Sequence, residues 1–248
     1  MGPHPKPDEA ELTATSSWGS GRTAAIFDRY APPFELTTDM LFALALCPTA
    51  PLRRTFPGVP FLSLLGKTPL VIWFSRVTEA CYRDATGQRR CDRHTEGVPY
   101  NELNVLALLR ARALFVPGIY ATSELSVSIG HGYGMPKQLT AMTVTTTANR
   151  FSATTAGLAS PSFVQARLLG SGRAVAKLLS PLWPRRVWPV RFPSGSEVRG
   201  TIQAAPRIQL AHVQRGPLSV EATWLAEPVS LLPVGVLTPA LRMELPPP

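Results

Sequence analysis

Four lysines stand among twenty-one arginines in this chain of 248 residues: Lys6, Lys67, Lys137 and Lys177. A primary amine adds to a carbonyl carbon and forms an imine, which a guanidinium does not do in practice. In a chain that otherwise supplies positive charge with arginine, each lysine is a candidate for that chemistry. Lys6 lies in a tail-like segment, Lys67 in the turn-like Gly66–Lys67–Thr68–Pro69, and Lys177 after Ala174–Val175–Ala176, where a surface charge is expected. Lys137 alone follows a glycine-rich apolar segment, Gly130–His131–Gly132–Tyr133–Gly134–Met135–Pro136. Glycine permits close backbone approach and unusual torsions, and Pro136 fixes its own φ and biases Met135 toward extended geometry. Such a segment can hold an amine in one place inside a pocket; a surface lysine after a turn is the plain alternative. The second candidate group is Glu102, in Pro99–Tyr100–Asn101–Glu102–Leu103, at the entry of a long apolar stretch. It suits proton transfer beside an amine, or a strand-end ion pair with Arg110 or Arg112.

The elements that must position these groups read as strands. Pro69–Val77 is rich in Val, Ile, Trp and Phe; Leu103–Tyr120 is long and apolar, broken by Arg110, Arg112, Pro117 and Gly118. Thr140–Thr147 is β-branched and alternating, and Phe163–Leu169, Glu197–Ile202 and Leu218–Thr223 repeat the pattern. Thr37 or Thr38 is expected to cap a short helix, with Asp39 in its first turn and Pro48 and Pro51 ending it. The 26 prolines punctuate the runs. No strand–helix rhythm with a G-x-G-x-x-G turn is present, so a doubly wound sheet is not expected. The expected fold class is α+β, mainly antiparallel β, with a curved or barrel-like sheet and a few short helices. Residues 1–22 read as a mobile N-terminal tail and 23–248 as a single domain.

Several function classes are set aside. The net charge of +9 comes from scattered arginines: Arg89, Arg90 and Arg93 share their segment with Asp84, Asp92 and Glu96, and no nucleic-acid-binding motif accompanies them. No apolar run approaches the roughly 18 residues of a membrane span, and no secretory leader is seen, so the cytoplasm is expected. Cys47, Cys81 and Cys91, odd in number and without C-x-x-C spacing, argue against a disulfide framework and a zinc site. No two of His4, His94, His131 and His212 lie four apart, so no metalloprotease helix is expected. A small molecule is the expected partner.

Met135-Pro136-Lys137 after a glycine-rich stretch, with Tyr100-x-Glu102 some 35 residues earlier, resembles the acetoacetate decarboxylase-like family. Thr38–Asp39–Met40 resembles the family's Thr-Asp-Met, Arg29 falls where the family places a pocket arginine, and Gly216–Pro217, Glu227–Pro228 and Leu232–Pro233–Val234 resemble its closing strands. The resemblance implies that Lys137 forms the imine, that Glu102 lies beside it and moves protons, and that Arg29 holds a substrate carboxylate or positions Glu102. It departs at Gln138, where the family's decarboxylases carry a second lysine, and at Phe74, where a second pocket carboxylate falls. Gly130 and His131 occupy the place of a Gly-Arg-Glu.

An amine attacks a ketone only when neutral, and an ordinary lysine, near pKa 10.4, is almost wholly protonated at pH 7. Desolvation lowers such a value by as much as about 3–5 units. Tyr133, Met135, Phe74 and Trp73 are expected as pocket walls, His131 as a source of partial positive charge or a proton donor, and Tyr100 and Gln138 as further substrate contacts. The implied activity is a lyase, a decarboxylase-like cleavage of a small keto acid through a Schiff base. It requires neither metal nor organic cofactor, and the family suggests a homo-oligomer. Imine-based aldol and dehydration chemistry on pyruvate-like substrates is the near alternative, and a non-catalytic small-ligand-binding protein on the same scaffold the distant one.

Overall fold

The structure is a computed structural model that describes residues 27, 29–93, 97–110, 112–147, 150–156, 162–168, 189–204, 209–214, 217–218 and 229–247. The 1–22 tail, Lys6, Lys177, Gly216, Glu227–Pro228 and most of Leu218–Thr223 lie outside the described residues.

The chain enters the fold through a long strand, β1 (Ala31–Pro48). Leu41, Ala43, Ala45 and Cys47 are buried while Leu44 and Leu46 are exposed, the period of two that a strand imposes. The expectation of a helix capped by Thr37 or Thr38 is therefore corrected. Asp39 sits in a strand where the ladder to β15 (Val229–Leu245) shifts register between Thr38 and Met40. Its Oδ1 accepts the N–H of Ala240 at 3.0 Å, and Thr38 Oγ1 donates to Arg76 O at 3.1 Å. The polar side chains that suggested a cap instead satisfy backbone groups at a bulge. Pro48 and Pro51 begin a helix and do not end one: α1 (Thr49–Thr55) starts directly after Pro48, and Pro51 falls in the first turn, where an N–H has no intrahelical partner to lose.

On its other edge β1 pairs with β2 (Lys67–Arg83), which pairs with β4 (Tyr100–Leu108), which pairs with β5 (Leu114–Ala121). The apolar stretch Leu103–Tyr120 is thus two strands of one hairpin, turned at 109–113. A short strand, β3 (Arg89–Asp92), folds back on β2 with Cys81 directly opposite Cys91. These two form a disulfide, with Cα atoms 4.0 Å apart, which corrects the expectation of no disulfide. Spacing alone gave no sign of it; the tight turn at Asp84, whose carboxylate accepts the N–H groups of Thr86 and Gln88, sets residues 81 and 91 face to face. Cys47 is buried and free.

Beyond β15 the sheet continues through β13 (Gln209–Gln214), β9 (Ser162–Leu168), β8 (Arg150–Ala156) and β7 (Ala141–Thr147). It curls without closing. Asn101 Nδ2 of β4 donates to Met142 O of β7 at 3.0 Å, and Leu41, Phe74, Leu103 and Val105 share one core with Met142, Val144, Phe151 and Ala153. This is the expected α+β fold, mainly antiparallel, with a curved sheet. Parallel pairing occurs where β6 (Lys137–Leu139) and β10 (Val190–Arg191) join β5. The opposite face of β4 and β5 carries a second apolar cluster, including Tyr133, Met135, Ile119 and Phe192. It is covered by α2 (Glu124–Gly132), by β6, and by β10 with its partner β11 (Glu197–Val198). Among the described residues no helix is long and apolar enough to cross a membrane.

Candidate active site

The glycine-rich segment is a helix end followed by a clamped turn. Ser123 caps α2 by accepting the N–H of Ser126 at 3.2 Å. At the other end Tyr133 N–H and Met135 N–H both bond to Gly130 O. Gly134 has φ +71°, and a Cβ there would lie 2.5 Å from Ser196 Oγ, so glycine is required on two counts. Ser194 Oγ donates to Gly134 O at 2.8 Å and Ser196 Oγ to Tyr133 O at 2.9 Å. The chain then enters β6, with Ile119 N–H bonding to Pro136 O and Lys137 in register with Ile119. His131 Nε2 donates to the carbonyl oxygen of Lys137 at 2.8 Å, fixing the backbone from which the amine departs.

The stem of Lys137 runs back over α2 at Gly130, where a Cβ would lie 2.3 Å from Lys137 Cδ. The lysine and Glu102 side chains are 9% and 11% exposed, and Lys137 Nζ is ion-paired with Glu102 Oε1. Nζ also donates to Ser126 Oγ at 2.9 Å. Ser126 in turn donates to Glu102 Oε1 at 3.4 Å, while Asn104 Nδ2 donates to Oε2 at 3.2 Å. A buried pair of this kind persists only when its remaining hydrogen-bonding capacity is met, which Ser126 and Asn104 do. Tyr100 lies against the same group: burial, then the Glu102 charge, push its phenol well above its ordinary value despite a hydrogen bond with Ser126. It is a neutral hydroxyl beside the carboxylate.

Two cavities meet at Lys137. One, of about 60 Å³, is bordered by Tyr100, Ser123, Ser126 and Tyr133. The other, of about 100 Å³, reaches Glu102, Asn104, Trp73 and a set of aliphatic residues. Leu36, Met135, Lys137 and Leu245 border both. An amine, a carboxylate and the hydroxyls of Tyr100, Ser123 and Ser126 in a largely apolar setting suit addition to a carbonyl followed by proton transfer.

No family model matches the sequence, and no curated protein matches it. Solved structures do. MppR, an enduracididine biosynthesis enzyme complexed with the condensation product of pyruvate and imidazole 4-carboxaldehyde, superposes with a TM-score of 0.55 at 13% identity, covering 86% of this chain and 87% of its own. An acetoacetate decarboxylase-like enzyme from Sphingomonas wittichii RW1 gives 0.52 at 16% identity, covering 86% and 89%. An acetoacetate decarboxylase gives 0.51 at 11% identity, covering 89% of both chains. The fold is that of the acetoacetate decarboxylase-like enzymes.

Within this acetoacetate decarboxylase-like fold the structure gathers Lys137, Glu102, Tyr100, Tyr133 and Met135 at one place. Tyr133 is buried, its phenol raised by desolvation and donating to Pro246 O at 2.7 Å. Glu102 does not pair with Arg110 or Arg112, which lie exposed at the far end of the hairpin. Three expected residues are placed elsewhere. Phe74 is fully buried in the main core; strand alternation turns its neighbour Trp73 to the cavity instead. Gln138, one residue along β6 from Lys137, is exposed and borders neither cavity. Arg29 is exposed, its guanidinium 5.2 Å from the Tyr30 ring centre, and also borders neither. His131 acts on the backbone of Lys137. Lys67 is exposed at the start of β2.

Ser126 and Asn104 were missed by sequence reasoning. Asn104 is two residues from Glu102 in a strand, hence on the same face, and that spacing carried its signal. Ser126 had none without the knowledge that 124–132 is a helix packed over β6.

Proposed function

We propose that the protein is a lyase that binds a small keto acid as an imine on Lys137 and cleaves a carbon–carbon bond of it. The observation that carries this reading is the buried Lys137 amine, joined to Glu102 and Ser126 where two cavities meet. Glu102 takes a proton from the ammonium, and the freed amine adds to the keto carbon. The carbinolamine loses water, its hydroxyl protonated by Glu102, and leaves a cationic imine. The bond to the carboxylate carbon then breaks, its electron pair passes to the imine nitrogen, and carbon dioxide departs. Glu102, reprotonated from solvent, passes that proton to the enamine carbon, and water then releases the ketone and the Lys137 ammonium.

A second reading has a specific observation behind it. MppR has been solved with pyruvate and with the condensation product of pyruvate and an aldehyde, which supports aldol-type chemistry as the alternative for this chain. There the imine of a pyruvate-like substrate gives up an α-proton to Glu102, and the enamine adds to an aldehyde. Carbon dioxide release from a panel of 2-oxo and 3-oxo acids, run beside borohydride trapping read by intact mass, separates the readings. Trapping with gas release supports the decarboxylase; trapping of pyruvate without it supports the aldolase-dehydratase. No trapping of any keto acid overturns both and leaves the ligand-binding reading.

The proposed setting is the cytoplasm, and fractionation of cells expressing the full chain checks it. The proposed assembly is a homo-oligomer, as the family resemblance implies, and sedimentation equilibrium checks that.

A further inference from the structure

We propose that the larger cavity beside Lys137 is a chain-binding subsite, and that the preferred substrate is a 3-oxo acid whose keto carbon carries an extended apolar chain. The proposal rests on the imine reading, because Lys137 Nζ sets the position of the keto carbon. From that point two spaces lead away. The smaller carries the hydroxyl groups of Tyr100, Ser123 and Ser126 along one side. The larger extends toward β10–β11, with Glu102, Asn104, Thr201 and Glu244 on its border and Leu106, Val116, Ile119, Phe192, Val198 and Met243 as its apolar walls. The apolar side chains come from five separate strands or turns and are buried or half-buried.

The volumes decide which end of the substrate goes where. A water-sized group needs about 10–15 Å³ of such space, so the larger cavity, at about 100 Å³, takes a chain of several carbons. The methyl group of acetoacetate would leave most of it unfilled. Glu102 and Glu244 on that border repel a carboxylate, and the apolar walls do not compensate its desolvation, whereas each methylene that enters improves binding about fourfold. The carboxylate is thus directed toward the hydroxyl-bearing space and the chain toward the aliphatic one. With 3-oxooctanoate, the bond between the carboxylate carbon and C2 breaks and its electron pair passes to the imine nitrogen. Carbon dioxide leaves, C2 takes a proton that Glu102 relays from solvent, and hydrolysis of the imine by one water releases 2-heptanone.

The test uses the full chain with acetone and 2-heptanone at equal concentration, reduced together with borohydride and read as two adduct masses in one spectrum. Carbon dioxide release from acetoacetate and 3-oxooctanoate is measured in parallel. The expected result is at least a tenfold excess of the heptanone adduct and at least tenfold higher kcat/KM for 3-oxooctanoate. Met243→Trp, which fills the chain space, should lower both ratios at least fivefold. Should that variant not fold, Val190→Phe on the same wall takes its place, and the parent ratios stand by themselves. Equal adducts, an acetone excess, or trapping of pyruvate in preference to either ketone overturns the chain subsite and leaves the imine reading standing. If no carbonyl compound is trapped, the imine reading fails and the subsite with it.

Discussion

Lys137 reaches Glu102 across a surface from which one side chain is missing. Any Cβ at position 130 would lie 2.3 Å from Lys137 Cδ, 2.8 Å from Cγ and 2.9 Å from Cε, distances that non-bonded carbons do not tolerate. The helix backbone is held by its own hydrogen bonds, so the lysine stem must give way. Gly130→Ala therefore separates stability from function: alanine favours a helix interior over glycine by about 1 kcal/mol, while Nζ loses its place beside Glu102 and Ser126. The expected outcome is a thermal midpoint unchanged or raised, with the rate of imine trapping lowered about tenfold or more. Stopped-flow trapping and a thermal melt on the same sample check both halves; full trapping in a well-folded variant would show that the stem position does not matter. Lys137 and Glu102 each stood out by type, a rare lysine in a glycine-rich frame and an acid at the entry of an apolar run, and the family resemblance is what put the two together. Gln138 was read from its place next to Lys137, and strand alternation sends neighbours to opposite faces. Phe74 and Trp73 differ by the same single step.

Between residue and molecule lies the turn that delivers the lysine. Gly134 adopts a left-handed torsion, and Ser194 and Ser196, from the β10–β11 turn, hold its carbonyl and that of Tyr133. Gly134→Ala adds backbone strain and a collision with both serine hydroxyls. It should destabilise the protein by about 1–3 kcal/mol, measured by urea denaturation, and should loosen β10–β11 together with the active-site turn. Equal hydrogen-exchange protection of both segments in parent and variant would show that they are not coupled. The strands around this turn were readable because Val, Ile and Thr runs alternate in burial, as Ala141–Thr147 does. Thr37–Thr38–Asp39 was misread because threonine and aspartate serve equally at helix caps and at bulges; only the neighbouring β15, some 200 residues away, decides between them. The Leu103–Tyr120 run hid a hairpin because both strands are buried on two faces, which removes the alternation that marks a strand.

For the whole molecule, the buried neutral acids define where stability is lost. Burial raises the Cys47 thiol from 9.0 to about 11, and it pushes the Tyr100 and Tyr133 phenols above their ordinary 10.0. Each group is neutral in the fold and ionises more readily once unfolded. Its stabilising contribution is complete below the unfolded value and is lost as pH rises from there through the folded value. The thermal midpoint should hold up to pH 9, fall between 9 and 11 as Cys47 is lost, and fall faster once the tyrosines follow. Cys47→Ala should flatten the first part of that fall. A midpoint constant through this range would contradict the burial of all three. The curved sheet itself was foreseeable from strand count and the lack of a strand–helix rhythm, whereas the Cys81–Cys91 disulfide depended on hairpin register that spacing does not encode.

The most direct measurement is peptide mapping of the borohydride-reduced adduct formed with a small keto acid, in the parent and in Lys137→Arg. The chain has only four lysines, so each maps to its own peptide. The expected result is a single modified site at Lys137 in the parent and none in Lys137→Arg, with the circular dichroism of the two proteins superimposable. An adduct at Lys67, or one that persists in Lys137→Arg, would contradict the assignment of Lys137 as the imine-forming residue.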